Sequence, residues 1–488
     1  MKKTKLVLVK YLLILVLIVP MASCSEDDPV ETPKRTEKEI TEFSIPSLEL
    51  TGEINPDAHT IALVVTPDFN QSLLENVVPD IKYTGVSIEP AVTEPQNFTR
   101  NVTYKVTAED GSSQNYTVSL TVSEFVSSGF AKVTEVWAKT DWAALNFSPG
   151  GIENTLAYKD GKVVASRSGI ILDANTGDPT GARLNVSGAS GKFHPTDPTR
   201  DYPFSLTNDD AGNVIGVALG AWTVSFLPVY KWTSLDSPPV LVYELTSDTW
   251  AGGNTGNIKP FGRKIGVTGD INGNGYIMQY CQNNQGVGGD KQQYIWKVTG
   301  GVVNPASYTA IMVECDPIDN TYYQTLIPMT DTYTDIYPYY LAATGSTTGV
   351  PPSEVSYKPN VSQNRVIIEG FQVEGEDQIF SSKWGAYVYH AKKFDFNGVK
   401  YIAVLSVSSP QTPGDQNSCV YYLAILDTRT NTVTKVITIP RGDKVNINGS
   451  VSVTNGLEET LPTGEKRIRL YSLFTDLGVF CHELTNKP

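Results

Sequence analysis

Aromatic and acidic residues crowd one stretch of the sequence, where they could bind a polyhydroxyl ligand. The segment "DNTYYQTLIPMTDTYTDIYPYY" places six tyrosines within 19 residues, with Asp331 and Asp335 among them. Flat rings offer apolar area beside a hydroxyl group, and carboxylates accept hydrogen bonds from sugar hydroxyls. Two tryptophans also stand next to glycines, in "LGAWTVS" and "SSKWGAY". The candidate ligand-binding residues are therefore Trp222, Tyr333, Tyr337, Tyr339, Tyr340 and Trp384.

The same rings could instead pack inside the protein, and the sequence leaves both roles open. Trp232 in "PVYKW" and Trp296 in "YIWKV" lie within strand-like runs. We expect these two side chains to be core residues.

Acid clusters raise the question of catalysis. Asp209-Asp210 and the group around Glu374 could supply the two carboxylates of a glycosidase, which lie roughly 5–10 Å apart across the scissile bond. The same acids could equally be turn residues. The four histidines are far apart, and the sequence lacks a nucleophile elbow, H-E-x-x-H, a phosphate loop and a dinucleotide fingerprint. We therefore predict no catalytic residue, and a polysaccharide hydrolase or lyase remains an alternative.

One segment resembles the start of a calcium loop. In "GDINGNGY", Asp270, Asn272 and Asn274 precede Gly275 and fit the pattern D-x-[DN]-x-[DN]-G, which places short oxygen ligands at alternate positions. The twelfth position is Cys281 rather than glutamate, and no acid stands at the ninth. Asn and Gly also build ordinary hairpin turns. Calcium is the one cofactor that the sequence suggests, with a plain turn as the alternative.

The elements that must position these residues are β-strands. Residues 126–488 carry repeated turn-then-strand units such as "YKDGKVVAS" and "DFNGVKYIAVLSV". Their glycines are 51, 63, 123 and 66 residues apart, and 123 is about two units: Gly161, Gly212, Gly275, Gly398 and Gly464. Repetition of this length without a helical pattern predicts an all-β fold with a six-bladed β-propeller, or a seven-bladed one. An array of sandwiches or a β-helix is the alternative.

Residues 40–123 predict a separate small antiparallel β-sandwich. In "NVTYKVTAEDGSSQNYTVSLTV" two alternating runs flank Asp110-Gly111, a strong hairpin signal. This hairpin resembles the last one of the immunoglobulin-like or cadherin-like sandwich at the N-terminus of Bacteroidetes surface lipoproteins. The resemblance implies a stalk-like module and says little about function.

The beginning of the chain predicts export and lipid anchoring. Lysines precede a short apolar run in residues 1–23, which is typical of a signal peptide, since a bilayer span needs about 20 apolar residues. "MASC" resembles a bacterial lipobox, with Cys24 as the lipidated residue. The "SEDD" that follows resembles the surface-export tag of Bacteroidetes lipoproteins, and residues 24–39 read as an acidic tether. We expect an outer-membrane lipoprotein that faces the cell exterior, with the periplasmic leaflet as the alternative.

The net charge and the cysteine spacing indicate which kinds of partner and metal to expect. The 488-residue chain has a formal net charge of −14, so its surface repels phosphate backbones and anionic lipid. We expect no nucleic-acid partner, and membrane contact through the lipid anchor only. After Cys24, four scattered cysteines remain without zinc-type spacing; they could pair or lie in the core: Cys281, Cys315, Cys419 and Cys481.

Taken together, the lipobox, sandwich and propeller resemble Bacteroidetes outer-surface lipoproteins of unknown function. Passages such as "FSLTNDDAGNVIGVALG" and "RLYSLFTDLGVFCHEL" carry that resemblance. It implies an accessory role in nutrient capture or adhesion and names no catalytic residue. The leading hypothesis is a non-catalytic, lipid-anchored binding protein for a polysaccharide or a surface protein partner. A propeller enzyme and a structural surface adhesin are the alternatives.

Overall fold

A computed structural model describes most of the chain in two compact units. The described residues are 33–147, 154–194, 201–219, 226–250, 259, 261, 264–281, 292–314, 327–328, 336–337, 365–367, 387–407, 420–430, 432–440, 451–475 and 477–488. Described residues up to Val65 together with Phe69–Val122 form the first unit, and Thr66–Asp68 with Ser123–Pro488 form the second. Among the described residues, no helix is long and apolar enough to cross a membrane.

The first unit is a seven-stranded sheet in the order β4-β1-β2-β3-β7-β6-β5, with two short 3-10 helices at Pro46–Leu48 and Gln71–Leu74. Its strands are β1 (Ile40–Ile45), β2 (Leu50–Asn55), β3 (Thr60–Val65), β4 (Asp80–Tyr83), β5 (Ser87–Glu89), β6 (Val102–Thr107) and β7 (Ser113–Val122). Alternate residues of the strands are buried and form one core, in which Phe43 contacts Phe98 and Tyr104.

The predicted hairpin of this unit is confirmed, and its strand directions need one correction. β6 and β7 pair antiparallel with Tyr104 opposite Tyr116, and Gly111 in the turn has a φ of 88°, which favours glycine. The sequence predicts an antiparallel sandwich, but β3 and β7 pair in parallel. Parallel neighbours need a long crossover, and the segment that carries β4, β5 and β6 supplies it.

The second unit is a propeller in which five sheets form the ring. Blade 1 contains β9 (Leu156–Lys159), β10 (Lys162–Ala165), β11 (Ile170–Asp173) and β12 (Pro179–Arg183); blade 2 contains β13 (Ser205–Asn208), β14 (Val214–Val217), β15 (Phe226–Trp232) and β16 (Val240–Thr246), followed by a short helix α1 (Ser247–Trp250). Blade 3 contains β17 (Ile265–Gly269), β18 (Gly275–Tyr280), β19 (Gln292–Thr299) and β20 (Val302–Glu314). In the sequence, blade 3 is followed by β21 (Ile327–Pro328), β22 (Ile336–Tyr337) and β23 (Arg365–Ile367).

Blade 4 contains β24 (Tyr387–Phe396), β25 (Val399–Val407), β26 (Val420–Asp427) and β27 (Thr432–Pro440). Blade 5 contains β28 (Val451–Asn455), β29 (Glu459–Thr460), β30 (Lys466–Phe474) and β31 (Gly478–Thr485). Its outermost strand is β8 (Lys132–Lys139), which comes from the beginning of this unit and pairs with β31. The ring is therefore closed by strands from both ends of the unit.

The predicted count of six or seven blades is wrong: in the described part of the chain the ring has five. Each glycine of the sequence pattern lies in the first hairpin of a different blade, so the glycines already mark the blades one for one: Gly161, Gly212, Gly275, Gly398 and Gly464. The 123-residue interval does not add a blade. Between β18 of blade 3 and β24 of blade 4, its described residues form the outer strands of blade 3, the two-stranded sheet β21–β22, and β23, which joins blade 3 in parallel.

Aromatic and aliphatic side chains fill the space between blades. Trp232 and Trp296 are fully buried, as predicted, and Trp296 contacts Tyr243 of the neighbouring blade. Middle strands such as β18 are buried along their whole length because both faces are covered by adjacent blades. Cys281 and Cys481 belong to these cores, while Cys315 and Cys419 lie outside the described residues.

Candidate functional site

Polar side chains from the inner strands of the blades meet at the centre of the ring. Asn208, at the end of β13, accepts hydrogen bonds on Oδ1 from the backbone amide of Tyr158 (2.7 Å) and from the hydroxyl of Thr454 (3.0 Å). Its Nδ2 also donates to the carbonyl of Tyr158. One buried amide therefore ties the inner strands of blades 1, 2 and 5 together.

Two buried lysines reach across this centre. Lys264 Nζ donates to the carbonyl oxygens of Asn154 (2.8 Å) and Val451 (2.9 Å). Lys392 Nζ donates to the carbonyl of Asn208 and lies 3.4 Å from Thr207 Oγ1. Burial lowers the pKa of Lys392 to about 8, although the Asp210 carboxylate opposes that shift.

A buried histidine completes the group. His390 Nδ1 accepts a hydrogen bond from the amide of Val453 at 2.9 Å. Burial, followed by the positive charges of Lys264 and Lys392, lowers the pKa of His390 well below its ordinary value. The imidazole is therefore neutral near pH 7, in agreement with its role as an acceptor.

A cleft of about 160 Å³ opens beside this centre, on the face that carries the first hairpins of the blades. Its walls mix basic, acidic, amide and apolar side chains, which include Tyr158, Asp209, Asp210, Lys392, Asp395 and Leu457. We refer to it as the axial cleft. A concave site with convergent polar groups is the usual place for a ligand.

The acid pair of the sequence analysis lies in this cleft, where hydrogen bonds already engage both carboxylates. Asp209 accepts from the amide of Asn213 (2.7 Å), from Asn213 Nδ2 (2.8 Å) and from the amide of Ile271 (2.9 Å). Burial raises the pKa of Asp209 despite these bonds. The carboxylate joins the first hairpins of blades 2 and 3, which is an architectural role.

Asp210 is paired with a lysine. Its Oδ2 lies 3.0 Å from Lys393 Nζ and accepts from the amide of Gly269 (2.8 Å) and the hydroxyl of Thr268 (3.1 Å). Burial alone would raise the pKa of Asp210, but the ammonium groups of Lys393 and Lys392 outweigh it and lower the pKa. An ionised, hydrogen-bonded carboxylate is poorly suited to give a proton to a leaving group.

The residues of the predicted calcium loop form the first hairpin of blade 3. Asp270 Oδ1 accepts from the amide of Asn272 at 2.8 Å, and Asn274 Oδ1 accepts from the amide of Gly300 at 3.2 Å. Asn272 Oδ1 accepts from Lys231 Nζ at 2.7 Å, which places a positive charge beside the loop. The described residues contain no group of three or more His, Cys, Asp or Glu side chains arranged to hold a metal. Calcium binding stays a prediction, and the observed bonds are those of a turn.

Several predicted residues fall outside the described part of the chain. These are Cys24, the acids near Glu374, and most of the aromatic set: Trp222, Tyr333, Tyr339, Tyr340 and Trp384. The backbone of Tyr337 lies in β22. Their proposed roles in ligand binding and anchoring remain predictions.

The lysines of the axial cleft are not among the residues predicted from the sequence. A signal exists in "YVYHAKKFDFNG", where Lys392 and Lys393 stand in the middle of an aromatic-rich strand that leads to a hairpin glycine. Charged residues inside a buried strand indicate a site or a polar network, because an unpaired buried charge is costly. Their partners Thr207, Asn208 and Asp210 are more than 180 residues away, so no local pattern could reveal the contact.

A family model resembles one part of the chain. Residues 40–120 match the family model of the N-terminal domain of SGBP, the surface glycan-binding proteins. No curated protein matches the chain at a significant level. The matched residues therefore fall in the region of the first unit.

Solved structures resemble the chain more loosely. A DUF4623 family protein from Bacteroides eggerthii has 14% identity and a TM-score of 0.49, covering 92% of this chain and 98% of its own. A GH43 glycoside hydrolase has 15% identity and a TM-score of 0.26, covering 58% and 49%. The ulvan lyase of family PL25 has 12% identity and a TM-score of 0.21, covering 70% and 68%. Similarity at this level assigns no activity.

Proposed function

We propose that this protein binds a glycan at the cell surface without cleaving it. The observation that carries the proposal is the match of residues 40–120 to the N-terminal domain of surface glycan-binding proteins. The first unit has its own core and sheet, so it suits a spacer. The propeller would then carry the ligand.

The chemistry of the axial cleft supports a non-catalytic role. Asp209 receives three hydrogen bonds from Asn213 and Ile271, and Asp210 is held by Lys393. A glycosidase needs one carboxyl group that can give up a proton and another that can attack or activate water. Neither of these acids meets that need while its present bonds persist.

The location forms part of the same proposal. Cys24 would carry the lipid, residues 24–39 would be the tether, and the protein would face outward from the outer membrane. We expect Cys24→Ala to abolish labelling by a radioactive fatty acid and to release the protein from the membrane. Protease added to intact cells should cleave the wild-type protein; protection of the protein until the cells are lysed would contradict surface exposure.

Native affinity electrophoresis of the full chain through gels that contain single polysaccharides tests glycan binding. We expect retardation in at least one gel, with no reducing sugar or unsaturated product released from the same polysaccharide in solution. Release of sugar would support the hydrolase or lyase alternative. Unchanged migration in every gel, with no release, would contradict the proposal and direct attention to a protein partner.

The predicted aromatic residues enter this proposal as ligand contacts. Trp222 and Trp384, with Tyr333, Tyr337, Tyr339 and Tyr340, would stack on sugar rings. We expect Trp222→Ala and Trp384→Ala each to weaken retardation, with Trp232→Ala reserved as a folding control because its ring is fully buried.

A further inference from the structure

A second cavity lies at the seam where the propeller ring closes. Blade 1 and blade 5 meet there through an indole-to-carbonyl hydrogen bond, from Trp137 Nε1 to Ala174 (3.1 Å), and an ion pair between Lys139 and Asp178 (2.6 Å). A space of about 210 Å³ opens between the two blades beside these contacts. We call it the seam groove.

The floor of the seam groove is aromatic and apolar. The rings of Tyr158 and Tyr471 stack with their centroids 5.6 Å apart and an angle of 11° between their planes. Tyr471 is buried, whereas Tyr158 is half-buried and lines the cavity. Leu457 is 55% exposed at the edge of the groove. Apolar patches beside a tyrosine suit the C–H face of a sugar ring.

The groove adjoins the axial cleft. Both spaces are lined by Tyr158, Gly456, Leu457 and Ile468. Gly456 has no left-handed backbone, and a Cβ atom built there would lie 3.6 Å from the Tyr158 ring. A Cβ atom would make an ordinary van der Waals contact with the ring, whereas a longer side chain would fill the junction of the two cavities at Tyr158.

The charged groups on the groove walls are already neutralised in pairs. Arg467 donates through Nε (2.8 Å) and Nη2 (2.7 Å) to Glu459. Arg469 donates through Nε to Glu483 (2.8 Å) and through Nη1 to Asn175 Oδ1 (2.6 Å). An ionic ligand would have to break one of these pairs. A hydroxyl can instead accept from a remaining guanidinium N–H and donate to a remaining carboxylate lone pair without changing the charge balance.

We propose that the seam groove binds an uncharged saccharide chain that extends toward the axial cleft. This inference rests on the proposed glycan binding and adds its place and its ligand class. Stacking on Tyr158 and Leu457 would hold the apolar faces of the sugar rings. Arg467, Glu459 and Asn175 would exchange hydrogen bonds with the hydroxyls.

Affinity electrophoresis of the full chain tests this proposal. The retardation is measured in gels that contain a neutral polysaccharide (galactomannan, arabinogalactan, hydroxyethyl cellulose) or an anionic one (polygalacturonate, chondroitin sulfate). We expect retardation by a neutral polymer, with a dissociation constant that changes less than about twofold between low and high salt, because salt screens only charge interactions. Gly456→Leu should weaken binding at least about tenfold, since its side chain fills the junction. Val302→Leu, an equally apolar change at a residue 69% exposed on blade 3, should leave binding unchanged.

Leu457→Ala is a second variant, which shortens an apolar side chain at the exposed edge of the groove without straining the backbone. We expect it to weaken binding several-fold. If wild type binds but both variants bind equally well, the seam groove is the wrong site while the proposed function stands. Retardation by the anionic polymers alone, or loss of binding in salt, would overturn the ligand class. Failure of wild type to bind any polymer would overturn both proposals.

Discussion

The axial cleft and the seam groove are neighbours in one propeller, but they treat polar groups in opposite ways. At the axis, Lys264, Lys392 and Asp209 are buried and bonded to the backbone or to side chains of other blades. In the groove, Arg467 and Glu459 pair at the surface above an aromatic floor. Polar groups at the axis hold the blades in place, whereas those in the groove can contact a ligand.

The difference follows from the cost of burial. A buried charge or amide must find partners within the protein, so each axial group acts as a cross-link between blades. A partly exposed ion pair contributes little to stability and can share its hydrogen bonds with a ligand. Substitutions at the axis should therefore affect folding, and substitutions in the groove should affect binding.

The largest effect is expected for Asp209→Ala. Removing the carboxylate leaves the amides of Asn213 and Ile271 without their acceptor, which should lower the free energy of unfolding by about 3 kcal/mol. Urea denaturation followed by tryptophan fluorescence measures the change. Asp395→Ala, at an exposed carboxylate of the same cleft, should change stability by less than about 0.5 kcal/mol. Equal losses of stability in both variants would contradict the proposed structural role of the buried carboxylate.

A second effect is a rise of stability with pH that depends on Lys392. Its pKa is about 8 in the folded protein and 10.5 without burial, so the unfolded chain binds more protons in this window. The free energy of unfolding should therefore rise as pH increases, by about 2 kcal/mol between about pH 7.5 and 9.5 from this group. Lys392→Met should remove that part of the slope. Lys132→Met, at an exposed lysine of the propeller, is the control and should keep it. Identical slopes in wild type and Lys392→Met would contradict the assignment.

Tyr158 allows stability and binding to be separated at one residue, because its side chain lines both the axial cleft and the seam groove. Tyr158→Phe loses the hydroxyl that accepts from the amide of Gly161 (3.2 Å), at a cost of about 1 kcal/mol, and keeps the ring stacked on Tyr471. We expect its glycan affinity to stay within about twofold of wild type, whereas Tyr158→Ala should bind much more weakly. Thermal denaturation and titration calorimetry separate the two effects. Equal affinity of the Phe and Ala variants would argue against stacking.

The smallest effect on stability is expected for Glu459→Gln. The side chain of Glu459 is 52% exposed, and surface pairs contribute about 0.5 kcal/mol or less. Glycan affinity should fall several-fold all the same, because the Arg467 guanidinium loses its fixed position. The control is Glu42→Gln, which removes the partner of Lys82 in the first unit; the side chain of Glu42 is 63% exposed. Loss of affinity in the control as well would show that the effect is not local.

The hairpins and the propeller class of the fold could be predicted from the sequence, while the number of blades could not. Alternating residues and the turn at Gly111 indicate the β6–β7 hairpin, because these signals lie within 20 residues. The hairpin glycines marked all five blades, but the 123-residue interval suggested a further one. Chain inserted between blades lengthens a spacing without adding a blade, and spacing alone does not distinguish the two cases.

The candidate sites were only partly predictable for a related reason. Asp209 and Asp210 were identified as an acid pair, but their hydrogen-bond partners lie in other hairpins. The seam groove brings Tyr158 beside Tyr471 and Asn175 beside Arg469, residues about 300 positions apart. Ring closure brings these residues together, and no local motif in "LAYKDG" or "KRIRLY" indicates the contact.

Hydrogen exchange of the full chain, with and without oligosaccharides of the neutral polysaccharide that retards it, tests the central claim most directly. We predict slower amide exchange in the segments around Tyr158–Gly161, Ala174–Asn175 and Gly456–Arg469, with little change at the β13–β14 hairpin that carries Asp209. Protection confined to that hairpin and β24, or to the first unit, would contradict the assignment of the ligand to the seam groove.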